Sequence, residues 1–416
     1  MYRPISLLPT LSKIMESIMH KRLLDHLYDN QIINDRQAAY LKGDSTVQQL
    51  LYIVHLIKTS WTKGKITQGV FLDVSAAFDK CWHSGILAKL KQNKVDGQCL
   101  ALFESYLSNR KQIVVVDGEK SEVIEIKAGI PQGSRLGPLL WILYINDILD
   151  HLDSEVLLFA DDTCLFATAP DPAQTAEILN RDLSKIHTWS KTWKVTFNPL
   201  KSKDMIFTRN LQVDNSPPLI LDKTFISRVH EHKHLGLWLS NNLSWSRQIS
   251  EVVMKANYKL SVLRSVKLLD RSTLDLLYKL TVRSVIDYGL VVYYNSLKSV
   301  EISRLQQIQY RAAKLCTGAL HLSSQASLEK DLGWETISDR CLFLGLTLFQ
   351  KVHLNLTRPL IKTVMPKIFE GGITRSSSSS KYITFKQGLK TFTDSFFPHF
   401  TKNGTTSLKI SKRKVI

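Results

Sequence analysis

The chain has 416 residues, and its content of 44% hydrophobic and 22% charged residues is ordinary for a globular protein. That length can bury a large core and predicts two or three structural units. The net charge of +18 and the isoelectric point near 9.5 are high, which indicates a polyanionic partner, with nucleic acid ahead of an anionic membrane surface. A basic protein without such a partner is the alternative.

The cysteines and the apolar runs exclude several classes of protein. The five scattered cysteines include no CxxC pair, so neither a zinc knuckle nor a disulfide framework is expected, and a reducing compartment is indicated. The chain does not open on a secretory signal, and no apolar run is long enough to span a bilayer. We therefore expect an intracellular protein that has no membrane partner.

The first part of the chain predicts a mixture of helices and strands. Apolar residues at helical spacing predict a helix from about residue 11 and further helices at residues 48–61, 84–90, 100–107, 139–149 and 174–192. Strands are expected at residues 69–74, 112–116, 122–126, 195–197, 204–208 and 234–239. Asp117-Gly118 predicts the turn of a hairpin.

From Trp245 onward the pattern becomes almost wholly helical, with helices expected at residues 252–268, 272–293 and 301–315. This change sets the main domain boundary. We expect residues 1–240 to form a mixed domain, residues 241–355 a helical one, and residues 356–416 a basic, Ser-rich and poorly ordered tail. Residues 351–416 contain 13 Lys and Arg against two acidic residues.

The acidic pair Asp161-Asp162 interrupts an apolar stretch at residues 156–166. The stretch predicts a buried hairpin with both carboxylates at its turn. Two like charges there cost free energy unless a cation neutralises them, and oxygen-only ligation favours Mg²⁺. An exposed Asp-Asp turn is the alternative. Asp73 ends another buried strand, where a cap or a salt bridge is the alternative, and carboxylates from two strands can hold the two cations that phosphoryl transfer uses.

Three stretches resemble successive motifs of reverse transcriptases in order and spacing. They are FLDVSAAFD (residues 71–79), GIPQGSRLGPLL (129–140) and FADDT (159–163). The chain resembles most closely the polymerases of non-LTR retrotransposons, the LINE-type elements of the jockey and CR1 kind. Residues 2–8, 198–203, 234–237 and 305–313 are similar to further motifs of that family, so the resemblance covers about residues 2–355. The chain looks like a fragment that starts inside the fingers and lacks the endonuclease.

The resemblance implies a fold and a reaction. The fold is α+β, a right-hand polymerase whose fingers and palm, with an antiparallel palm sheet, are followed by an all-α thumb. The reaction is RNA-directed DNA synthesis, in which two Mg²⁺ ions, or Mn²⁺, assist the transfer of dNTPs to a primer 3′ hydroxyl. The implied partners are an RNA template, a DNA primer or target and dNTPs, and the implied place of action is the nucleus.

The functional residues of the family carry over position by position. Asp73, Asp161 and Asp162 would be the catalytic carboxylates and the metal ligands. The residues expected to bind the nucleotide are Phe78, Gln132, Gly133, Arg3 and Lys42, the possible general acids are Lys201 and Lys203, and the primer grip would contain Leu235 and Gly236. The alternatives are a core role for Phe78, a helix N-terminus at Gln132 and solvated lysine side chains.

Departures from the family keep other functions open. Leu41 stands where the family has an Arg, and Asp44 adds a negative charge near the expected triphosphate. Leu41 and the truncated fingers favour a catalytically silent relic that only binds nucleic acid, whereas the three Asp residues argue against lost chemistry. An intron maturase or an RNA-dependent RNA polymerase is a further alternative, against which Phe78 argues because its ring would exclude a 2′ hydroxyl. The alternating histidines at positions 230, 232 and 234 predict either a metal site or a solvated strand face.

Overall fold

The computed structural model describes residues 5–209, 216–320, 322–365 and 396–398. Arg3 and most of the tail at residues 356–416 lie outside the described residues, so what was expected of them stays a prediction. The helices are α1 (Thr10–Asp29), α2 (Thr46–Thr62), α3 (His83–Gln92), α4 (Gly97–Leu107), α5 (Gly137–Ile145), α6 (Pro172–Thr192), α7 (Ser246–Ser265), α8 (Arg271–Leu277), α9 (Ser284–Asp287), α10 (Leu290–Tyr293), α11 (Ser299–Thr317), α12 (Gln325–Leu332), α13 (Ile337–His353) and α14 (Pro359–Thr363).

The strands are mostly short. They are β1 (Ile66–Leu72), β2 (Lys111–Gln112), β3 (Val115–Val116), β4 (Glu119–Lys120), β5 (Ile124–Glu125), β6 (Glu155–Phe159), β7 (Asp162–Ala169), β8 (Lys203–Phe207), β9 (Ile220–Leu221), β10 (Thr224–Phe225), β11 (Ser227–Arg228), β12 (Glu231–His234) and β13 (Leu237–Ser240). The hairpin predicted at Asp117-Gly118 is confirmed, because β3 pairs with β4 and both turn residues have positive φ.

Three local predictions are wrong. Residues 195–197 form no strand and contribute a single bridge between Val74 and Phe197. The strand expected at 234–239 is a hairpin, since the chain reverses at Leu235-Gly236 between β12 and β13. The helix expected at 272–293 is interrupted by a π-helical segment, Tyr278–Arg283, and by Gly289 with φ of +67°. In the last two cases one glycine inside an apolar pattern marks the break.

The described residues form two compact units. The first contains residues 5–44, 67–206 and 216–229, and the second contains residues 45–66, 207–209, 230–320, 322–365 and 396–398. The division of the sequence into domains at residues 240 and 355 stays a prediction. No helix within the described ranges is both long and apolar enough to cross a bilayer.

A five-stranded sheet organises the first unit, in the order β11-β8-β1-β7-β6. The expected antiparallel sheet is a mixed one, because β11 lies parallel to β8 whereas β6 and β7 form an antiparallel hairpin. One core cluster contains Val70 and Leu72 of β1, Leu165 of β7 and nearly all of α5. A helix that is apolar on every side is expected to be buried on every side, and α5 is.

The second unit is mainly helical after Trp245, as the sequence predicted. The apolar stripes of α7 and α11 are buried, through residues such as Leu260 and Ile308. α2 also belongs to this unit, and its side chains are buried along almost its whole length. Its N-cap, Ser45, accepts a hydrogen bond from the backbone N–H of Gln48 and so fixes where the helix begins.

Two buried histidines make the second unit sensitive to acid. Burial lowers the pKa of His55 to about 4 and that of His234 to about 3. Both values lie below the ordinary 6.5, so the unfolded chain binds more protons and stability falls as pH drops below about 6.5. We expect the free energy of unfolding to decrease by about 2 kcal/mol per histidine between pH 6.5 and pH 5.

Urea unfolding at several pH values measures this decrease. His55→Gln should flatten the pH dependence, whereas His230→Gln should leave it unchanged because His230 is exposed. An equally steep dependence in His55→Gln would contradict the assignment to His55.

Candidate active site

The acidic hairpin is formed by β6 and β7. Phe159 pairs with Asp162, so Ala160 and Asp161 make a two-residue turn. Ala160 adopts φ of +58°, a left-handed conformation that such tight hairpin turns require. Asp161 lies in the turn and is half-buried, whereas Asp162 begins β7 and is exposed. The predicted hairpin is present, but its acidic pair is not buried as expected.

β1 brings Asp73 to the same edge of the sheet. The hydroxyl groups of Thr67 and Thr168 lie 3.1 Å apart, and the ring centroids of Phe71 and Phe166 lie 5.9 Å apart. The residue numbers rise along β1, from Thr67 to Phe71, while those of their partners fall along β7, from Thr168 to Phe166. Since β1 and β7 are neighbours in the sheet, the two strands are antiparallel. The end of β1 therefore adjoins the start of β7, and Asp73 directly follows β1.

The loop after α6 holds the backbone of Asp73. The backbone N–H of Asn198 donates to the carbonyl of Asp73 at 2.8 Å, and the N–H of Asp73 donates to the hydroxyl of Ser202 at 3.2 Å. Lys201 and Lys203 flank Ser202. Lys201 is exposed, whereas Lys203 donates to the hydroxyl of Ser227 at 2.7 Å. Of the two candidate acids, Lys203 is therefore already engaged.

Two side chains fix the turn that carries Asp161, and sequence reasoning missed both. The indole N–H of Trp141 donates to the carbonyl of Ala160 at 3.1 Å, and the N–H of Ala160 approaches Oε1 of Gln37 at 3.4 Å. Gln37 has no exposed surface. Gln37 is a single glutamine in a polar stretch, and no sequence motif there indicates a functional role. Trp141 lies in the apolar helix α5, where the sequence indicates only a position in the core.

The loop at residues 129–133 packs against the segment that follows Asp73. The N–H of Ile130 donates to the carbonyl of Phe78 at 2.7 Å, and the amide of Gln132 donates to Asp79 at 2.7 Å. Gly129 has φ of +95°, and a Cβ there would lie 2.6 Å from the carbonyl oxygen of Asp79, so only glycine fits. The structure thus packs together the two segments that contain Phe78 and Gln132.

The other predicted site residues that the structure describes are Gly133, Lys42, Leu235 and Gly236. Gly133 has φ of +103° and faces the backbone of Ser6. Lys42 is exposed, while its neighbour Leu41 is 6% exposed and belongs to the core of the first unit. A side chain buried in that core cannot take over the triphosphate contact of the family's Arg. Leu235 and Gly236 form the β12–β13 turn of the second unit.

The donor atoms at the sheet edge suit a divalent cation in kind. Asp73 and Asp161 supply carboxylate oxygens, and neither forms an ion pair with another residue of the described ranges. No group of three or more His, Cys, Asp or Glu side chains within those ranges is arranged as a metal site in this structure. The same finding leaves the metal interpretation of the alternating histidines unsupported, although the rings of His232 and His234 stack.

Comparison with known proteins identifies the family. Residues 1–239 match the family model described as reverse transcriptase (RNA-dependent DNA polymerase). The chain belongs to the reverse transcriptase family. The resemblance inferred from the three motifs is thereby confirmed, and so is the right-hand polymerase class.

Relatives of this reverse transcriptase-family chain come from mobile elements. A probable RNA-directed DNA polymerase from transposon X-element of Drosophila melanogaster is 30% identical over 81% of this chain and 38% of its own length. The RNA-directed DNA polymerase from mobile element jockey of the same organism is 30% identical over 82% and 38%. The chain thus spans less than half the length of these relatives. Apo telomerase from Candida tropicalis overlaps 76% of the chain at a TM-score of 0.45.

Proposed function

We propose that the chain is an RNA-directed DNA polymerase of a non-LTR retrotransposon, which adds dNTPs to a primer 3′ hydroxyl on an RNA template. The observation that supports it most is the arrangement of the first unit: Asp73, Asp161 and Asp162 share one sheet edge, next to the packed pair of segments that hold Phe78 and Gln132. Family membership sets the reaction class, and the net charge of +18 suits a nucleic-acid substrate.

The residues have separate roles in this proposal. Asp73, Asp161 and Asp162 would hold two Mg²⁺ or Mn²⁺ ions, which activate the 3′ hydroxyl and stabilise the pyrophosphate leaving group when bound. Phe78 would stand beneath the incoming sugar and select deoxynucleotides by shape. Gln132 and Gly133 would contact the nucleotide, with Arg3 and Lys42 near its phosphates. The place of action would be the nucleus.

Lys201 is the better candidate for the general acid. Lys201 is exposed and directly precedes Ser202, whose hydroxyl accepts from the N–H of Asp73, whereas Lys203 is engaged with Ser227. We expect Lys201→Ala to lower the rate of extension by about 10²-fold, the usual effect of losing a general acid. Lys203→Ala should change it by less than about threefold. Single-turnover extension measures both rates, and a larger loss in Lys203→Ala would reverse the assignment.

Primer extension tests the proposed function directly. The purified chain is given a DNA primer on an RNA template, dNTPs and Mg²⁺, and elongated product is expected. A gel shift of the same duplex without extension would favour the alternative, a catalytically silent relic that binds nucleic acid. Incorporation of ribonucleotides as readily as deoxynucleotides would favour an RNA polymerase.

A further inference from the structure

The turn between β12 and β13 has an unusual composition for its shape. His234 pairs with Leu237, so Leu235 and Gly236 alone make the turn, and they adopt φ of +44° and +84°. Two-residue turns with two positive φ values favour Asn, Asp or Gly. A leucine held there is strained, and such a conformation persists only where the surroundings fix it.

Tyr288 makes the contacts that hold this turn in place. Its hydroxyl lies 2.7 Å from the carbonyl oxygen of Leu235 and 3.0 Å from the hydroxyl of Thr46. Since a tyrosine hydroxyl carries one proton, it donates to the Leu235 carbonyl and accepts from Thr46. Thr46 is the first residue of α2. The hydroxyl of Tyr288 therefore links the turn to the beginning of α2, within the second unit.

The ring of Tyr288 covers the turn as well. A Cβ at Gly236 would lie 2.9 Å from the ring of Tyr288, so the ring packs directly on the glycine. The next residue, Gly289, has φ of +67°, and a Cβ there would lie 2.8 Å from Leu237. Two glycines thus allow the segment at Tyr288 and the hairpin to approach at adjacent points.

Tyr288 follows a helix that is interrupted just before it. The π-helical segment Tyr278–Arg283 interrupts the regular helix upstream, and α9 ends at Asp287. Tyr288 itself has left the helical conformation, with φ of −62° and ψ of +114°. π-Helical insertions are rare and are frequent at functional sites.

We propose that Tyr288 is a positioning residue, which fixes the Leu235-Gly236 turn to the first residue of α2 and so sets where the primer backbone lies. This inference rests on the proposed polymerase function, in which that turn is the primer grip. Loss of the hydroxyl should release the turn while the ring and the fold remain. The primer end should then be held less well, whereas the chemistry at the three Asp residues should be unaffected.

The test compares Tyr288→Phe with a matched control, Tyr310→Phe. Tyr310 also donates its hydroxyl to a backbone carbonyl, that of Ser323, at 2.7 Å. Extension of a DNA primer on an RNA template gives kcat and the KM for the duplex. Hydrogen exchange gives the mobility of the backbone amides of residues 235–237.

We expect Tyr288→Phe to raise the KM for the duplex about fivefold and to speed exchange at residues 235–237 by a similar factor, with kcat within about twofold. Tyr310→Phe should change neither. Thr46→Val should raise KM by less, and adding it to Tyr288→Phe should have no further effect, because the two groups share one contact.

The other outcomes decide against the inference. Unchanged exchange in Tyr288→Phe would show that the hydroxyl does not hold the turn. Faster exchange with unchanged KM would show that the turn does not position the primer. An equal rise in KM in Tyr288→Phe and Tyr310→Phe would mean that Tyr288 has only a general structural role. Absence of extension by the wild-type chain would instead remove the proposed polymerase function, and exchange together with duplex affinity would still decide the role of Tyr288.

Discussion

Replacement of Asp161 by asparagine should abolish extension and leave duplex binding nearly intact. The turn conformation depends on Ala160, whose carbonyl accepts from Trp141, so the isosteric change keeps the backbone in place. The substitution removes one negative charge from the edge of the sheet where Asp73 also lies. Loss of a cation ligand removes several kcal/mol of transition-state stabilisation, so we expect extension to fall by about 10³-fold.

The control is Asp96→Asn, an exposed carboxylate at the N-cap of α4 that makes no side-chain cap hydrogen bond. It should extend primers at the wild-type rate. Fluorescence anisotropy of a labelled duplex follows binding in all three proteins. If Asp161→Asn retained more than about a tenth of wild-type extension, or lost binding in parallel, the assignment of Asp161 as a cation ligand would be wrong.

Replacement of Asp147 by alanine should destabilise the first unit more than any surface change. Lys89 of α3 is 2% exposed, forms an ion pair with Asp147 and lies 3.4 Å from the ring centroid of Trp193. Burial lowers the pKa of Lys89, and Asp147 opposes that effect. Asp147 also accepts from the indole of Trp189 at 3.0 Å. Removing it leaves a buried ammonium, at a cost of about 3 kcal/mol.

Urea unfolding measures this cost, and two further variants separate its causes. Asp150 lines the same pocket and also attracts the Lys89 charge, but it is exposed and forms no ion pair within the described residues. Asp150→Ala should therefore cost much less than Asp147→Ala, below about 1 kcal/mol. Adding Lys89→Met to Asp147→Ala should recover most of the lost stability, because no charge is then left unpaired. A double variant as unstable as Asp147→Ala would mean that the indole contact dominates.

The sequence was most informative where chemistry is concentrated in short motifs. Asp161-Asp162 could be placed at a hairpin turn because the flanking residues are apolar, and Asp73 at the end of a strand for the same reason. It was least informative about contacts between distant segments. Gln37 and Trp141 hold Ala160 from positions 123 and 19 residues away, and no local pattern predicts such pairings.

The wrong predictions of a strand and a helix also arise from contacts between distant segments. Leu235-Gly236 and Tyr288-Gly289 each lie in a run that reads as continuous strand or helix, and only their packing against each other shows why the chain turns. Leu41 is the reverse case. The sequence showed that an Arg of the family is absent, and the structure adds that the leucine is committed to the core, so restoring Arg there would cost packing.

The neighbouring positions of β1 and β7 also bear on how the protein folds. Asp73 and Asp161 are 88 residues apart in the chain, and they become neighbours only when these two strands pair. Pairings between distant segments form slowly because a large loop must close first. The proposed cation site should therefore form late in folding, and a divalent cation that binds there should act late in refolding, by stabilising the native state through mass action.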